Sequence, residues 1–426
     1  MELKKGDALS LSKGYKQTEI GPVPNDWKTP HIPEIVSKNY GMKIGPFGSQ
    51  LKKELLTDSG YKVYGQENVF DKNMIIGNRY INKDHFDKLR SCELKSGDFI
   101  ISMMGTIGKT MIVPNNIETG IMDSHLLRLR LNNDIVIPEL IQHYFSSIIL
   151  LRQVTQLSVG GIMAGLSSKI IKNIFLPLPP TKSEQTAIAT ALSDTDALIS
   201  SLEKLIEKKR NIKQGSMQQL LKPKKGWVVK KLGDCAQLKA RIGWQGLTTA
   251  EYRKNGDYYL ITGTEFKNGF VDWDSCHHVD EIRYVQDKYI QIREKDVLVT
   301  KDGTIGKIAL IKNIIKPATL NSGVFVIRPI YNAFDSEFFY YLLLSKYFTS
   351  FLSQLTAGST INHLYQKDFV TFIFSVPSII NEQKEIATIL SDMDNEISSL
   401  EKKLSKSKML KQGMMQELLT GKIRLV

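Results

Sequence analysis

Cysteine is scarce in this chain. Three occur in 426 residues, Cys92, Cys235 and Cys276. No two have CxxC spacing, which excludes a disulfide framework and points to a reducing compartment. The run Cys276-His277-His278 does not change this. Neighbours on a strand face opposite ways, so these side chains do not converge on one metal ion. Long apolar runs are missing too. Nothing approaches the ~18 residues of a membrane span, and the stretch MELKKGDALSLSKGYKQTEIG has no apolar core of the signal-peptide kind. The expectation is a cytoplasmic protein with no membrane contact.

Catalytic signatures are also lacking. No GxGxxG opens a helix, and no Asn/Asp-Pro-Pro-aromatic motif of an adenine methyltransferase is present. The only Pro-Pro, Pro179-Pro180, follows Leu178. Glu207 and Lys209 lie in a helical stretch and read as a solvated face. GTIGK occurs twice, at Gly105–Lys109 and Gly303–Lys307. A phosphate loop needs a leading glycine and a Ser or Thr after the lysine. The first copy has Met103 where that glycine should stand, and the second has Ile308 after the lysine. Both read instead as tight turns between strands, FIISMM and DVLVT before them, TMIV and IALI after. We therefore expect no catalytic residue, no metal site and no cofactor in this chain.

What is present is a repeat. Sliding the chain by 198 residues aligns the two GTIGK turns, Ile44-Gly45 with Ile242-Gly243, Glu67 with Glu265, and Asp98 with Asp296. The closest match sets 183–221 against 381–419, with 23 of 39 positions identical. The ~150 residues before each copy match far less well. This period is too long for a solenoid repeat of 20–50 residues; it is a duplicated domain plus its connector. The order is variable, constant, variable, constant.

The constant segments are helical. Residues, apolar but for Thr195, recur in steps of three and four through Ile188, Leu192, Thr195, Ile199, Leu202 and Ile206, and through Ile386, Leu390, Met393, Ile397, Leu400 and Leu404. That spacing is a seam wanting a partner helix. Ser193-Asp194 and Ser391-Asp392 read as caps between a short helix and a longer one. The seam turns polar at Lys209 and Lys213, and at Ser407 and Lys411, with Gly215 and Gly413 nearby, so bending or fraying is expected there. If the duplication forms a pseudo-twofold, the two longer helices run antiparallel. From Asp194 to Leu221 and Asp392 to Leu419, about 28 residues span roughly 42 Å.

The formal net charge is +13. Segment 183–221 holds five acids and five bases, and 381–419 seven acids and six bases, so the remainder carries +14. A neutral helical part with basic globular parts suits a polyanion held by the latter. Each variable segment reads as short strands plus a helix: VYGQENV, DFIISMM, TMIV and HLLRLRL, then a helix from IPEL to Gly160; YLITGTEF, DVLVT, IALI and GVFVIRP, then a helix from DSEFF to about Gly358. The fold class is α+β: two globular mixed-sheet domains joined by two long antiparallel helices with pseudo-twofold symmetry. The expected division is an N-terminal arm 1–20, a first domain 21–180, a central helical region 181–221, a second domain 222–377 and a distal helical region 378–426. The run Phe338–Tyr341 is read as core.

Polar loops at variable positions are candidates for reading base edges. KIGPFGSQLKK and RIGWQGLTT occupy matching places and offer Lys43, Ser49, Gln50, Lys52, Lys53, Arg241, Gln245 and Thr248. Gln pairs with adenine, and Arg or Lys with guanine, in the major groove. Lys109, Lys301 and Lys307, in or beside the GTIGK turns, are further candidates for contact with DNA.

The whole layout resembles the DNA-specificity subunit of type I restriction-modification systems. The resemblance rests on YKQTEIGPVPNDW, the GTIGK turns, PLPPTKSEQTAIATALSDTDALI and the ending KQGMMQELLTGKIRLV. It implies two target-recognition domains, each reading half of a bipartite asymmetric site in double-stranded DNA. It implies helical regions that dock two methyltransferase subunits, here through Ile199, Leu202, Ile206, Ile397, Leu400 and Leu404. Those partners would carry S-adenosylmethionine, and restriction (translocase/endonuclease) subunits using ATP and Mg would join them. A Gly-Ser/Thr-rich segment typical of the family matches AGSTINHLYQKDF, which implies DNA contacts at Ser359, Thr360 and Asn362. VGGIMAGLSSKII departs from it, with Ile162 and Met163 in the middle. The rival readings are a self-contained DNA methyltransferase, which the missing motifs disfavour, and a coiled-coil scaffold binding protein partners, which the charge distribution disfavours.

Overall fold

The computed structural model describes residues 14–38, 41–105, 108–157, 166–356 and 363–425. Ile162, Met163, Ser359, Thr360 and Asn362 lie outside the described residues, as do parts of the first GTIGK turn and of the N-terminal arm. The chain forms two units. The first comprises residues 1–203 and 403–426, the second 204–402.

In the first unit most strands gather into two small sheets, beside the hairpin of Tyr15–Thr18 and Gly21–Pro24. One is antiparallel, in the order Met42–Ile44, Leu126–Leu129, Phe99–Ser102, Thr110–Ile112. In the other, Tyr61–Tyr64 pairs antiparallel with Tyr80–Ile81 and parallel with Gly120–Met122. Phe99 to Ser102 are all buried, because this strand is covered on both faces. Phe99 and Ile101 point into one core with the helix Pro138–Phe145; Ile100 points into the other with Ile121 and Met122.

The second unit repeats the plan with a longer sheet. Its order is Ala236–Lys239, Val324–Pro329, Val297–Thr300, Ile308–Leu310, Phe270–Val271, Phe266–Lys267, and the pair Phe270–Val271 with Ile308–Leu310 is parallel. A three-stranded sheet sets Tyr258–Ile261 between His277–Val279 and Ala318–Leu320. The sheets are mixed, as expected for α+β. Phe338, Phe339, Tyr340 and Tyr341 are fully buried in this unit's core, as read from sequence.

Three local expectations are corrected. In VYGQENV only the first part is strand; Gln66–Phe70 is a helix, because the Asn68 side chain accepts from Gly65 N at 2.9 Å and starts it. Each predicted domain helix is two: Pro138–Phe145 then Ile148–Leu157, and Ser336–Leu343 then Lys346–Thr356. Ser147 and Ser345 turn their hydroxyls back onto the carbonyls of Tyr144 and Leu342 at 2.6 Å, which ends the first segment of each pair. Finally, the constant segments are not a short helix followed by a longer one. Lys182–Leu220 and Ile380–Leu418 are each one helix of 39 residues, unbroken at Gly215 and Gly413.

The antiparallel pairing of these helices is seen inside each unit. In the first, Lys411 pairs with Asp196 at 2.6 Å and Lys408 with Glu203 at 2.6 Å. In the second, Lys213 pairs with Asp394 and Arg210 with Glu401, both at 2.5 Å. Both pairs recur at the 198-residue offset. Lys213 and Lys411, where the seam turns polar, are half-buried and ion-paired. Ile188, Leu192 and Leu418 enter the first unit's core, and Ile386 and Leu390 the second's.

Candidate nucleic-acid interface

The loops that hold most candidate residues follow strand ends, and in each unit they converge. In the second unit Lys301 N donates to Gly323 O at 2.8 Å, and Leu364 N to Lys301 O at 2.8 Å. In the first, Met103 N donates to His125 O at 2.9 Å, and Leu166 N to Met103 O at 2.8 Å. These are the same bonds at the 198-residue offset. The turns after Tyr61–Tyr64 and Tyr258–Ile261 join them. Gln66 Nε2 donates to Ser102 Oγ at 2.6 Å and Met104 O at 2.9 Å. Asn321 N donates to Ile261 O at 2.8 Å. The loop carrying Gln245 comes alongside: a Cβ on Gly246 would lie 3.7 Å from Ser322 Oγ.

One backbone frame thus recurs with different side chains. Met103 stands where the second unit has Lys301, Asp123 where it has Asn321, His125 where it has Gly323, and Gln66 where it has Thr264. Below each frame the architecture is constant. Asp98 holds Arg130 at 3.0 Å, and Asp296 holds Arg328 at 2.6 Å.

Most predicted residues are placed at the surface. Gln50, Lys52, Lys53, Lys109, Thr248 and Lys307 are exposed; Lys43, Gln245 and Lys301 are half-buried. Lys301 lays its ammonium 5.3 Å from the centre of the Phe325 ring. Thr248 is committed locally, donating its amide and hydroxyl to Glu251 at 2.9 and 3.1 Å. Ser49 lies in the turn Gly48–Leu51. Arg241 is a correction. It is 1% exposed. It donates to Leu320 O at 2.8 Å, Gln286 Oε1 and Thr319 Oγ1 at 3.1 Å, and Arg283 O at 3.2 Å. Its guanidinium ties its own segment to the strand Ala318–Leu320 and to the helical segment at Arg283 and Gln286, and is not offered to a ligand.

The structure adds residues that the sequence did not single out. A cleft of about 350 Å³ is lined by Lys43 and Gln50 together with Lys88 and Lys172, so three lysines border one depression. Lys88 and Lys172 come from separate helices, and no spacing in the sequence links them to Lys43. A second missed pair is Gln185 and Gln383, both buried. Gln185 accepts from Ile137 N at 3.0 Å and donates to the carbonyls of Ile135 and Pro179 at 3.1 and 3.2 Å. Gln383 accepts from Asp335 N at 2.8 Å and donates to Pro377 O at 2.7 Å. Their signal was present as the Glu-Gln common to both repeats.

The described segments nearest the two ends of the chain meet in the first unit. Arg424 pairs with the buried Glu184 and, at 3.1 Å, with Asp26. Arg424 beside Asp26 holds that carboxyl below its usual range. Burial pushes the Cys235 thiol up to about 11 and Cys276 up to about 12, which keeps both protonated and inert. Among the described residues no cluster of His, Cys, Asp and Glu is arranged to hold a metal, and no helix is long and apolar enough to cross a membrane.

Comparison with known proteins agrees with this architecture. The family model of the type I restriction modification DNA specificity domain matches twice, over residues 24–214 and 224–407. The MjaVIII type I restriction enzyme specificity subunit of Methanocaldococcus jannaschii is 30% identical over 443 residues, covering 97% of this chain and 96% of that one. The crystal structure of the type I restriction-modification S subunit from M. genitalium superposes with a TM-score of 0.58 at 17% identity, covering 92% and 96%. A chain from a structural study of complex assembly and conformational transition of the type I system gives 0.54 at 16%, covering 94% and 99%. With two matched DNA specificity domains and a relative 30% identical over nearly its whole length, the chain belongs to the type I restriction-modification DNA specificity family, as a subunit that recognises DNA sequence.

Proposed function

We propose that each unit reads one half of a two-part, asymmetric DNA site, and that the helical regions recruit two methyltransferase subunits and the translocating restriction subunits. S-adenosylmethionine, ATP and Mg belong to those partners in this reading. The carrying observation is the recurring loop frame with unlike side chains. A frame that repeats presents its edge to DNA in the same way twice. Side chains that differ within it select different bases, since base edges are discriminated by donor and acceptor pattern. In the first unit the lysines at the margin, Lys43, Lys88 and Lys172, supply phosphate contacts that position its half without reading it.

The test is co-expression with the neighbouring genes, followed by sequencing of the DNA for modified adenines. The expected result is one split motif with two unlike halves. A single uninterrupted motif, or two identical halves, would overturn the reading.

A further inference from the structure

Glu67 and Glu265 occupy matching positions in the repeat, yet the structure uses them in opposite ways. Glu265 is 1% exposed. Its carboxylate accepts from Thr262 N at 3.0 Å, Gly263 N at 2.9 Å, Thr262 Oγ1 at 2.8 Å and Thr264 Oγ1 at 2.9 Å. All its accepting capacity closes its own turn. In the first unit Asn68 has taken over that work. Asn68 is buried; its Oδ1 accepts from Gly65 N at 2.9 Å, and its Nδ2 donates to Asn73 O and Ile76 O at 2.9 and 3.0 Å. Glu67 is released from the turn and its side chain is 44% exposed.

The released carboxylate is held in place. Arg79 Nη2 donates to Glu67 Oε1 at 2.9 Å and to Asp123 Oδ2 at 3.0 Å. Asp123 is in turn fixed by accepting from His125 N at 3.0 Å. Gly65 makes room, since a Cβ there would overlap both the Arg79 guanidinium and the Glu67 carboxylate. Among the described residues Glu67 Oε2 has no hydrogen-bond donor. The group sits beside Gln66 and Asp123, within the converging loops of the first unit. Two carboxylates against one guanidinium leave this spot net negative on a chain that is otherwise basic. A carboxylate facing DNA is repelled by phosphate and by the keto oxygens of thymine and guanine. It is favoured only where it accepts from an amino group.

We propose that Glu67 is a specificity-determining residue: its free oxygen accepts from the exocyclic amino group of one base, cytosine N4 or adenine N6, in the half-site read by the first unit. Arg79 is the positioning residue that sets the carboxylate's direction. This rests on the two-part reading above. Glu265 has no such role.

The test is Glu67→Gln in the co-expressed complex, with modified sites mapped against the wild type and thermal melting measured in parallel. Gln keeps the shape but adds a donor, so keto bases become acceptable. Discrimination against guanine and thymine at one position of one half-site should fall about tenfold or more, with the other half unchanged. Whichever of cytosine or adenine the wild type requires there identifies the amino group. Arg79→Gln should relax the same position more weakly. Glu265→Gln should lower the melting temperature and leave base preference alone. An unchanged motif in the Glu67→Gln complex overturns the proposal. So does a loss of modification that is uniform over all bases, as a merely structural ion pair would give. A wild-type complex without a split motif fails the two-part reading instead.

Discussion

Arg241 and Lys43 stand at matching places in the two repeats, and burial divides them. Lys43 lines an open cleft, whereas Arg241 is enclosed by four acceptors. The sequence shows a basic residue before Ile-Gly in both copies; it does not show acceptors supplied from 42 to 79 residues away. Arg241→Met keeps much of the volume but leaves those acceptors unsatisfied. It should cost about 3 kcal/mol, seen as a lower melting temperature with base preference unchanged. Histidine gives a second prediction at this scale. Burial holds His143 below its ordinary value of 6.5, outweighing the nearby Asp196. The folded state therefore resists the proton that the unfolded chain accepts. Stability from this site is complete above about pH 6.5 and is lost as pH falls below it. At the matching position Tyr341 donates its hydroxyl to Asp394 at 2.8 Å. His143→Tyr should flatten the decline in melting temperature on the acid side.

At the scale of elements, the long helices were the most legible part. Their apolar spacing named the seam, and Leu202, Ile206, Ile386, Leu390 and Ile397 are indeed buried, with Ile199, Leu400 and Leu404 half-buried. The error lay at Ser193 and Ser391, which carry the composition of caps but lie inside a helix. Their polarity serves the adjoining domain. His143 Nε2 lies 3.1 Å from Ser193 Oγ, and Lys312 Nζ 3.4 Å from Ser391 Oγ. A local rule reads such residues as helix starts because the tertiary partner is out of its view. The loop frames were half legible: the GTIGK turns marked two of the converging segments, but nothing in the sequence marked Arg79 as their neighbour or Lys172 as a neighbour of Lys43. Burial also ranks two seam substitutions. Leu202 is 4% exposed and Leu400 is only half-buried. Leu202→Asp should cost several kcal/mol, about 3 or more, and Leu400→Asp clearly less. Thermal melting separates them, and equal effects would show that exposure does not set the penalty.

For the whole molecule, the question is how a variable domain is exchanged without loss of assembly. Gln185 and Gln383 grip backbone groups only, the amides of Ile137 and Asp335 and the carbonyls of Ile135, Pro179 and Pro377. A domain with other side chains offers the same backbone. Exchange of residues 30–175 also respects the bridges at the boundary: His31 with Phe175 moves together, and Lys28 with Leu178 stays. Such an exchange should change one half of the target and leave methyltransferase recruitment intact, as measured by co-purification and modification mapping. The helices carry the remaining prediction. Removing residues 200–206 together with 403–409 takes about two turns from each, roughly 10 Å of rise. It spares the pair Asp196–Lys411 in the first unit and Lys213–Asp394 in the second. Seven residues nearly complete two turns, so the apolar stripe keeps its direction. If helix length sets the spacer of the split site, the spacer should shorten by about three base pairs with both halves retained. Mapping the modified sites of the shortened protein decides this, and full activity on the original spacing would show that helix length is not the ruler.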